Sequence, residues 1–368
     1  MADSFGRRKF LQSAAAFGGV TALGGLAPVR AASLDVPTVD KLAIQVLVDS
    51  SYDLFLRPGQ LNGVSIAPAP GFNDYRRSLH NEWGLSLWLE SQRGAERRTL
   101  MLDYGYTPEV LANNMELIGV DPGKLDALIV SHGHYDHFGG LMGFLERYRQ
   151  VLPRDIKLYA GGEDNFCHRL GRSRTPGQFT DFGTLDRRAL AARQVTTVLA
   201  ESPVVIAGQA FTTGRIKRSS IEKVLPNTMV EFGEKDGLGC DSGKYLSADM
   251  AGKVVPDEHI HEHATCFNIR DKGLVVISSC GHVGIVNSVR QAQEVSGIQK
   301  VHAIVGGFHL GPAPADYLEQ VVGEIRKLQP DVLIPMHCSG LNFVQEAKRQ
   351  MPGNLLLSTT GSRISFGA

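Results

Sequence analysis

Four metal-ligating side chains stand together in Ser131-His132-Gly133-His134-Tyr135-Asp136-His137. Imidazole nitrogen and carboxylate oxygen are the donors that zinc and other borderline divalent ions take. The spacing has a geometric consequence. In a tight turn the side chains at i and i+2, His132 and His134, can point together at one ion. The next pair, Asp136 and His137, at the start of a helix, can point at a second. Gly133, Gly139 and Gly140 leave room where the backbone bends around such a site. A lone loop histidine reads as a solvated or hydrogen-bonded side chain. Three with an aspartate, behind an apolar strand, read as a metal site.

A site of this kind needs rigid support, and from about Leu34 the chain alternates strand with helix. Lys41 to Asp49, Gly84 to Glu90, Arg98 to Asp103 and Leu125 to Val130 read as strands, the last running straight into the histidine cluster. Glu109 to Ile118 and Leu141 to Val151 read as amphipathic helices. The middle, about 161–257, is less regular and reads as strands plus a substrate-facing excursion within one domain that spans 33–368. Beyond it a rhythm of strand, polar corner and helix returns. Gly273 to Ser278, Val301 to Val305 and Val332 to Ile334 read as strands, followed by corners that carry His282, His309 and His337. Chemistry in open α/β sheets gathers at the carboxyl ends of strands, and here three successive strand ends each deliver a histidine.

The His-x-His-x-Asp-His cluster resembles the defining motif of the metallo-β-lactamase superfamily. The resemblance implies an α/β fold: an αββα sandwich, two mixed sheets flanked by helices, with one or two metal ions between the sheets. Asn81-Glu82-Trp83-Gly84-Leu85-Ser86, Val130 to Leu141, Thr213-Gly214-Arg215-Ile216, Ile277 to Asn287, Gly306 to Leu310 and Met336-His337-Cys338 resemble one subgroup in particular. That subgroup comprises the dihydropterin-ribofuranosylaminobenzene-phosphate synthases of methanopterin biosynthesis and their relatives. Carried over residue by residue, the resemblance implies His132, His134 and His282 for a first metal, and Asp136, His137 and His337 for a second. It implies Asp103 as the aspartate that orients a ligand histidine from behind. The superfamily's bridging aspartate is missing, because Ile277-Ser278-Ser279-Cys280-Gly281-His282 holds no carboxylate. A water or hydroxide could bridge instead, or one tight and one loose ion could bind. His309 is expected near the metals as an outer ligand, a proton donor or a substrate contact.

His259, His261 and His263 alternate and would share one face of a strand. One of them could replace His282 as third ligand, but beside Asp257 and Glu258 they read more simply as an exposed edge. His80, His168 and His302 have no supporting neighbours and read as structural or surface residues. Arg215, Lys217 and Arg218 could bind an anionic group, and read more simply as a solvated loop.

Two divalent ions lower the pKa of a shared water, so that hydroxide is available near neutral pH to attack a carbonyl or phosphoryl centre. The chain is therefore expected to be a metal-dependent hydrolase of a small-molecule ester, phosphoester or related bond, with Asp136, His309 and Asp103 as its acting residues. Zinc is the expected ion, with Mn2+, Fe2+ or Ni2+ as alternatives. A synthase-like transferase is the competing enzymatic reading, and a non-catalytic metal-dependent binding protein the competing reading outside catalysis.

Lys+Arg and Asp+Glu balance at 38 each, so no basic face points to nucleic acid or to a membrane surface. Arg7-Arg8-Lys9-Phe10-Leu11, a mild Ala- and Gly-rich stretch and Ala31-Ala32 have the layout of an export signal, 1–32, resembling the twin-arginine type. The expected partners are thus the twin-arginine export machinery and a small-molecule substrate. The expected location is periplasmic or otherwise exported, with no stable membrane span after cleavage. Five cysteines without dense spacing predict a fold that requires no disulfide.

Overall fold

The computed structural model describes residues 33–367 except 72, 73, 75 and 244. The expected signal, 1–32, lies outside the described residues. Fifteen elements, labelled here, position the site. They are β1 Lys41–Val48, β2 Ser86–Arg93, β3 Glu96–Leu102, α1 Pro108–Ile118, β4 Ala127–Val130, α2 Leu141–Tyr148 and β5 Lys157–Ala160. Then follow β6 Thr265–Ile269, β7 Gly273–Ser278, α3 Ile285–Ser296, β8 Val301–Gly306, α4 Ala315–Lys327, β9 Val332–Pro335, α5 Leu341–Gln350 and β10 Arg363–Phe366.

Two mixed sheets carry the architecture. The first runs Thr196–Leu199, β5, β4, β3, β2, β1, β10, Val64–Ala67, Gly59–Leu61, with β3, β4 and β5 mutually parallel. The second runs Val205–Ile206, Ala210–Thr212, β6, β7, β8, β9, with β7, β8 and β9 parallel. Side chains alternate across a strand, and here both faces are apolar, as a sheet covered on both sides requires. Leu100 and Leu102 of β3, Ile129 of β4, and Val275 and Ile277 of β7 face the other sheet and fuse into one core. Met101, Leu128 and Val130 turn outward beneath Leu111 and Met115 of α1 and Leu145 of α2. Val276 and Ile304 turn outward beneath Val289 of α3, Val321 of α4 and Phe343 of α5. The result is helix, sheet, sheet, helix: the αββα sandwich expected.

Local signals set the helix ends. The Thr107 hydroxyl accepts from Val110 N–H to start α1, and Gly119 closes it in a left-handed conformation, φ 81°. No helix among the described residues is long and apolar enough to cross a membrane.

The middle of the chain departs from the expectation in two ways. Residues 187–212 belong to the sandwich, supplying helix Arg187–Ala192 and strands Thr196–Leu199, Val205–Ile206 and Ala210–Thr212. The rest builds a separate small sheet, Phe179–Asp181, His168–Arg172, Met229–Glu231, Val254–Pro256. Beside it lies a disulfide, Cys167–Cys240, whose ends are separated by 73 positions in sequence. The expectation of a fold that requires no disulfide did not foresee this bond. Closing such a loop removes denatured-state entropy worth about 4 kcal/mol. Wide spacing hides the pair in the sequence, because the strands between the two cysteines bring them together.

A surface groove of about 680 Å³ lies at the opposite strand ends from the histidines. It is lined by Lys41, Glu90, Arg97, Asp126 and Arg363, and ion pairs such as Arg363–Glu90 and Arg98–Asp126 satisfy its charges.

Candidate metal centre

Asp103 follows β3 with φ 59°, a left-handed value that a residue with a side chain adopts only under constraint. Its carboxylate supplies that constraint. Oδ1 accepts Ser131 N–H at 2.8 Å, and Oδ2 accepts the Ser131 hydroxyl at 2.7 Å and His137 Nδ1–H at 2.8 Å. The Ser131 oxygen then accepts from His132 Nδ1 at 2.9 Å. One buried aspartate thereby sets the tautomers of two histidines and leaves Nε2 of each as the free ligand atom. Both Nε2 atoms are buried without a protein partner. The helical turn Tyr135–Phe138 packs against the segment after β3. It can approach because Gly139 and Gly140 have no Cβ: one there would fall 2.2 Å from the carbonyls of Tyr106 and Tyr104 respectively.

Two pockets result. In the first, ligand atoms of His132, His134, His259 and His282 all lie within 4.8 Å of one another. His134 Nε2 bonds Thr228 Oγ1 at 2.8 Å, which leaves Nδ1 for an ion, and the His259 and His282 rings stack at 3.8 Å. In the second, Asp136 Oδ2 lies 3.3 Å from His337 Nε2 and 3.7 Å from His137 Nε2. His337 is itself left-handed, φ 48°. Asp49 Oδ1 accepts its N–H at 2.7 Å, and Ser50 Oγ meets its Nδ1 at 3.0 Å. His309, φ 48°, stands alongside with its ring 4.0 Å from that of His282 and its Nε2 unpartnered. The structure thus brings His132, His134, Asp136, His137, His282, His309 and His337 together, with Asp103 behind them.

His259 corrects the expectation of an exposed edge. His259, His261 and His263 are all buried, at 1%, 2% and 2% exposure. They share no face, because His259 has φ 47° and the segment turns instead of forming a strand. His259 enters the first pocket, His261 Nδ1 lies 3.3 Å from Asp164, and His263 Nε2 bonds Val130 O at 3.0 Å. His302, fully buried on Asp331, and His168, bonded to Thr184, are structural; His80 is exposed. Lys217 and Arg218 are exposed and paired with Glu294 and Glu258, and Arg215 is exposed.

The electrostatics differ between the pockets. Burial, with mutual repulsion added, pushes His132, His134 and His282 well below the usual imidazole range. Burial takes His259 down to about 4, against the pull of Asp257. In the second pocket burial works against charge too, but Asp136 and Asp103 outweigh it and lift His137 to about 9. Asp136, although buried, is held below its ordinary value by His137 and His337.

A resident metal passes a test on the molecule itself. His132 Nε2, His137 Nε2, His337 Nε2, Asp136 Oδ1 and both ring nitrogens of His259 and His282 are buried with no hydrogen-bond partner. Each such atom costs about 1–3 kcal/mol if nothing satisfies it. Their convergence as two sets of N and O donors fits divalent ions of the zinc type. Sequence reasoning missed the supports: Asp49, Ser50, Thr228, and Arg169, whose Nε bonds Asp257 at 2.7 Å. It also missed Glu262, which burial raises to about 7 while it accepts Val283 N–H. None lies near a ligand in sequence except Glu262, so no local pattern announces them.

Residues 89–165 match the family model described as the metallo-β-lactamase superfamily. The chain is 26% identical over 310 residues to the 7,8-dihydropterin-6-methyl-4-(β-D-ribofuranosyl)-aminobenzene-5'-phosphate synthase of Methanocaldococcus jannaschii, covering 80% of this chain and 95% of that protein. An uncharacterized protein of the same organism is 26% identical over 246 residues, 66% of this chain and 80% of that one. Among solved structures, a metal-dependent hydrolase of the β-lactamase superfamily superposes with a TM-score of 0.62 at 20% identity, covering 88% of this chain and 98% of that one. The chain has the metallo-β-lactamase fold, and its resemblance to that superfamily extends to the synthase subgroup.

Proposed function

We propose that this chain is an exported metal-dependent hydrolase that cleaves a small-molecule ester, phosphoester or related bond. The observation that carries the reading is the convergence of unpartnered imidazole nitrogens and one carboxylate into two adjoining pockets at the strand ends. His132, His134, His259 and His282 would hold one ion, and Asp136, His137 and His337 the other. Bound there, divalent ions would supply Lewis acidity, acidifying a water and offsetting charge that develops on the attacked centre.

The chain's own groups do the positioning. Asp103 fixes His137 and, through Ser131, His132. Asp136 offers Oδ1 as an acceptor that orients the attacking water. His309 presents Nε2 as a proton donor toward the departing group. Trp83, 58% exposed and 4.8 Å from the His337 ring, forms an apolar lip beside the second pocket. Zinc is the favoured ion on donor type, with Mn2+, Fe2+ or Ni2+ as alternatives. Export rests on the Arg7-Arg8 signal, which implies the twin-arginine machinery as a partner, and is supported by the Cys167–Cys240 disulfide, since such bonds persist in oxidising compartments.

A synthase reaction is the second reading, and its support is the identity shared with the archaeal synthase over nearly the whole of that protein. The test is turnover of a panel of phosphoesters, lactones and carboxylic esters by mature protein before and after exhaustive chelation. Hydrolysis that disappears on chelation and returns with Zn2+ or Mn2+ is expected. Hydrolysis that survives complete metal removal would sink the reading.

A further inference from the structure

Three strand corners meet at another set of donors beside the two pockets. Cys280 follows β7, His309 follows β8 and Cys338 follows β9. Cys280 Sγ lies 3.0 Å from Cys338 Sγ and 3.7 Å from His309 Nδ1, and ligand atoms of the three all fall within 4.8 Å. His309 N–H points at Cys338 Sγ, 3.2 Å away. Both thiols are buried, at 3% exposure.

Two sulfurs at 3.0 Å stand inside ordinary non-bonded contact, yet well outside the bond of about 2.05 Å in a disulfide. That separation suits two donors that turn toward one ion. The backbone is shaped for the approach: a Cβ on Gly307 would fall 2.9 Å from Cys338 Sγ and 2.2 Å from Ser279 O, so any side chain there would force the corners apart. The donor spacing also matches that of the second pocket, where the carboxylate and imidazoles stand 3.3 and 3.7 Å apart. Cys280 occupies the strand corner where this sequence has no carboxylate, and its sulfur lies within 4.8 Å of ligand atoms of His132 and His137.

We propose that Cys280, His309 and Cys338 form a third metal position, for a thiophilic ion such as Zn2+, adjoining the two pockets. Two thiolates and an imidazole are a common soft donor set for zinc, with sulfur at about 2.3 Å from the ion, so the pair has only to open slightly. His309 then spends Nδ1 on this ion and keeps Nε2 for substrate. The position rests on the metal reading of its neighbours for its context: Cys338 and His309 belong to neither donor set, while Cys280 also reaches ligand atoms of His132 and His137.

The experiment is a Co2+ titration of metal-free mature protein with the Cys167–Cys240 bond intact, followed by electronic absorption, with Zn2+ uptake counted in parallel. Sulfur-to-cobalt charge-transfer absorption is expected to grow with a third equivalent. It is expected to vanish in Cys280→Ser/Cys338→Ser, which keeps two equivalents, and to need more cobalt in His309→Gln. The wild-type titration decides without any variant: saturation with no sulfur band, while thiol counting finds three free cysteines, overturns the proposal. A band that needs Cys280 but neither Cys338 nor His309, at two equivalents in total, also overturns it and assigns Cys280 to the neighbouring pockets. So does a second disulfide, Cys280–Cys338, found in that protein beside Cys167–Cys240. Failure of the hydrolase reading looks different: no turnover, with the sulfur band intact.

Discussion

The histidine-only pocket and the carboxylate pocket adjoin in one cleft, yet they treat a proton in opposite ways. Around His132, His134, His259 and His282 no carboxylate serves as donor, and the nearest one behind them, Asp257, is paired with Arg169. Burial and repulsion keep those imidazoles neutral, with lone pairs free at any ordinary pH. Around His137 the balance reverses, because Asp136 donates and Asp103 stands behind it. Without an ion, a proton on His137 supplies the missing positive charge there. The first pocket is therefore prepared for a metal without proton exchange, whereas the second must release a proton to take one.

Removing charge from the second pocket should expose that asymmetry most strongly. Asp136→Ala is expected to abolish binding of one ion and reduce turnover by at least about a hundredfold, while the other ion stays bound. Metal counting on the dialysed variant checks it, and loss of both ions together would show that the pockets are a single unit. Asp103→Asn should come next. It leaves both donor sets intact but loosens the tautomers of His137 and His132, for a loss of about 10–100-fold in metal affinity or turnover.

Acidity separates the pockets without any substitution. The folded pKa of His137, about 9, lies above its unfolded value near 6.5. Its contribution to the stability of ion-free protein is thus full below pH 6.5 and is lost as pH rises through 9. Metal affinity runs the other way. Between those limits the ion in the second pocket must displace the proton, so its affinity should rise about tenfold per pH unit and level off above pH 9. The histidine-only pocket should show no such slope. Calorimetric titrations at pH 7 and 8.5, in buffers of different ionisation enthalpy, count the protons released with each ion, and equal release would break the comparison.

Much of this arrangement was legible in the residues. The apolar strand β4 and the cluster behind it announce a site, and β7, Gly273–Ser278, has the bounds that its run of apolar residues predicts. His282, His309 and His337 follow strand ends, where side chains from separate parts of the chain can converge. What stayed hidden depends on contacts remote in sequence. His259 reads as one of three alternating residues until its left-handed backbone, held within the packed turn, sends it alone into the pocket. Asp49 and Ser50 support His337 from nearly 290 residues away. Cys167 and Cys240 approach only because His168–Arg172 pairs with Met229–Glu231. Those strands are only five and three residues long, too short for an alternation to mark them.

Ser50 offers the smallest perturbation that still tells the pockets apart. Its hydroxyl meets His337 Nδ1 at 3.0 Å, while the backbone of His337 is anchored separately through Asp49. Asp49 is buried, and burial raises it to about 6, so it is ionised at neutral pH and keeps accepting the His337 N–H. In Ser50→Ala the imidazole loses the bond that fixes its ring and tautomer, but the strained backbone beneath it stays in place. The expected loss in affinity for the ion of the second pocket is about tenfold, the lower end for removing a hydrogen-bond partner of a ligand histidine. The first ion shares no atom with this support and should bind as before. Competition with a chromogenic chelator resolves the two affinities. An equal weakening of both ions would mean that His337 shapes the whole cleft, and the contrast between the pockets would then lie in their charge alone.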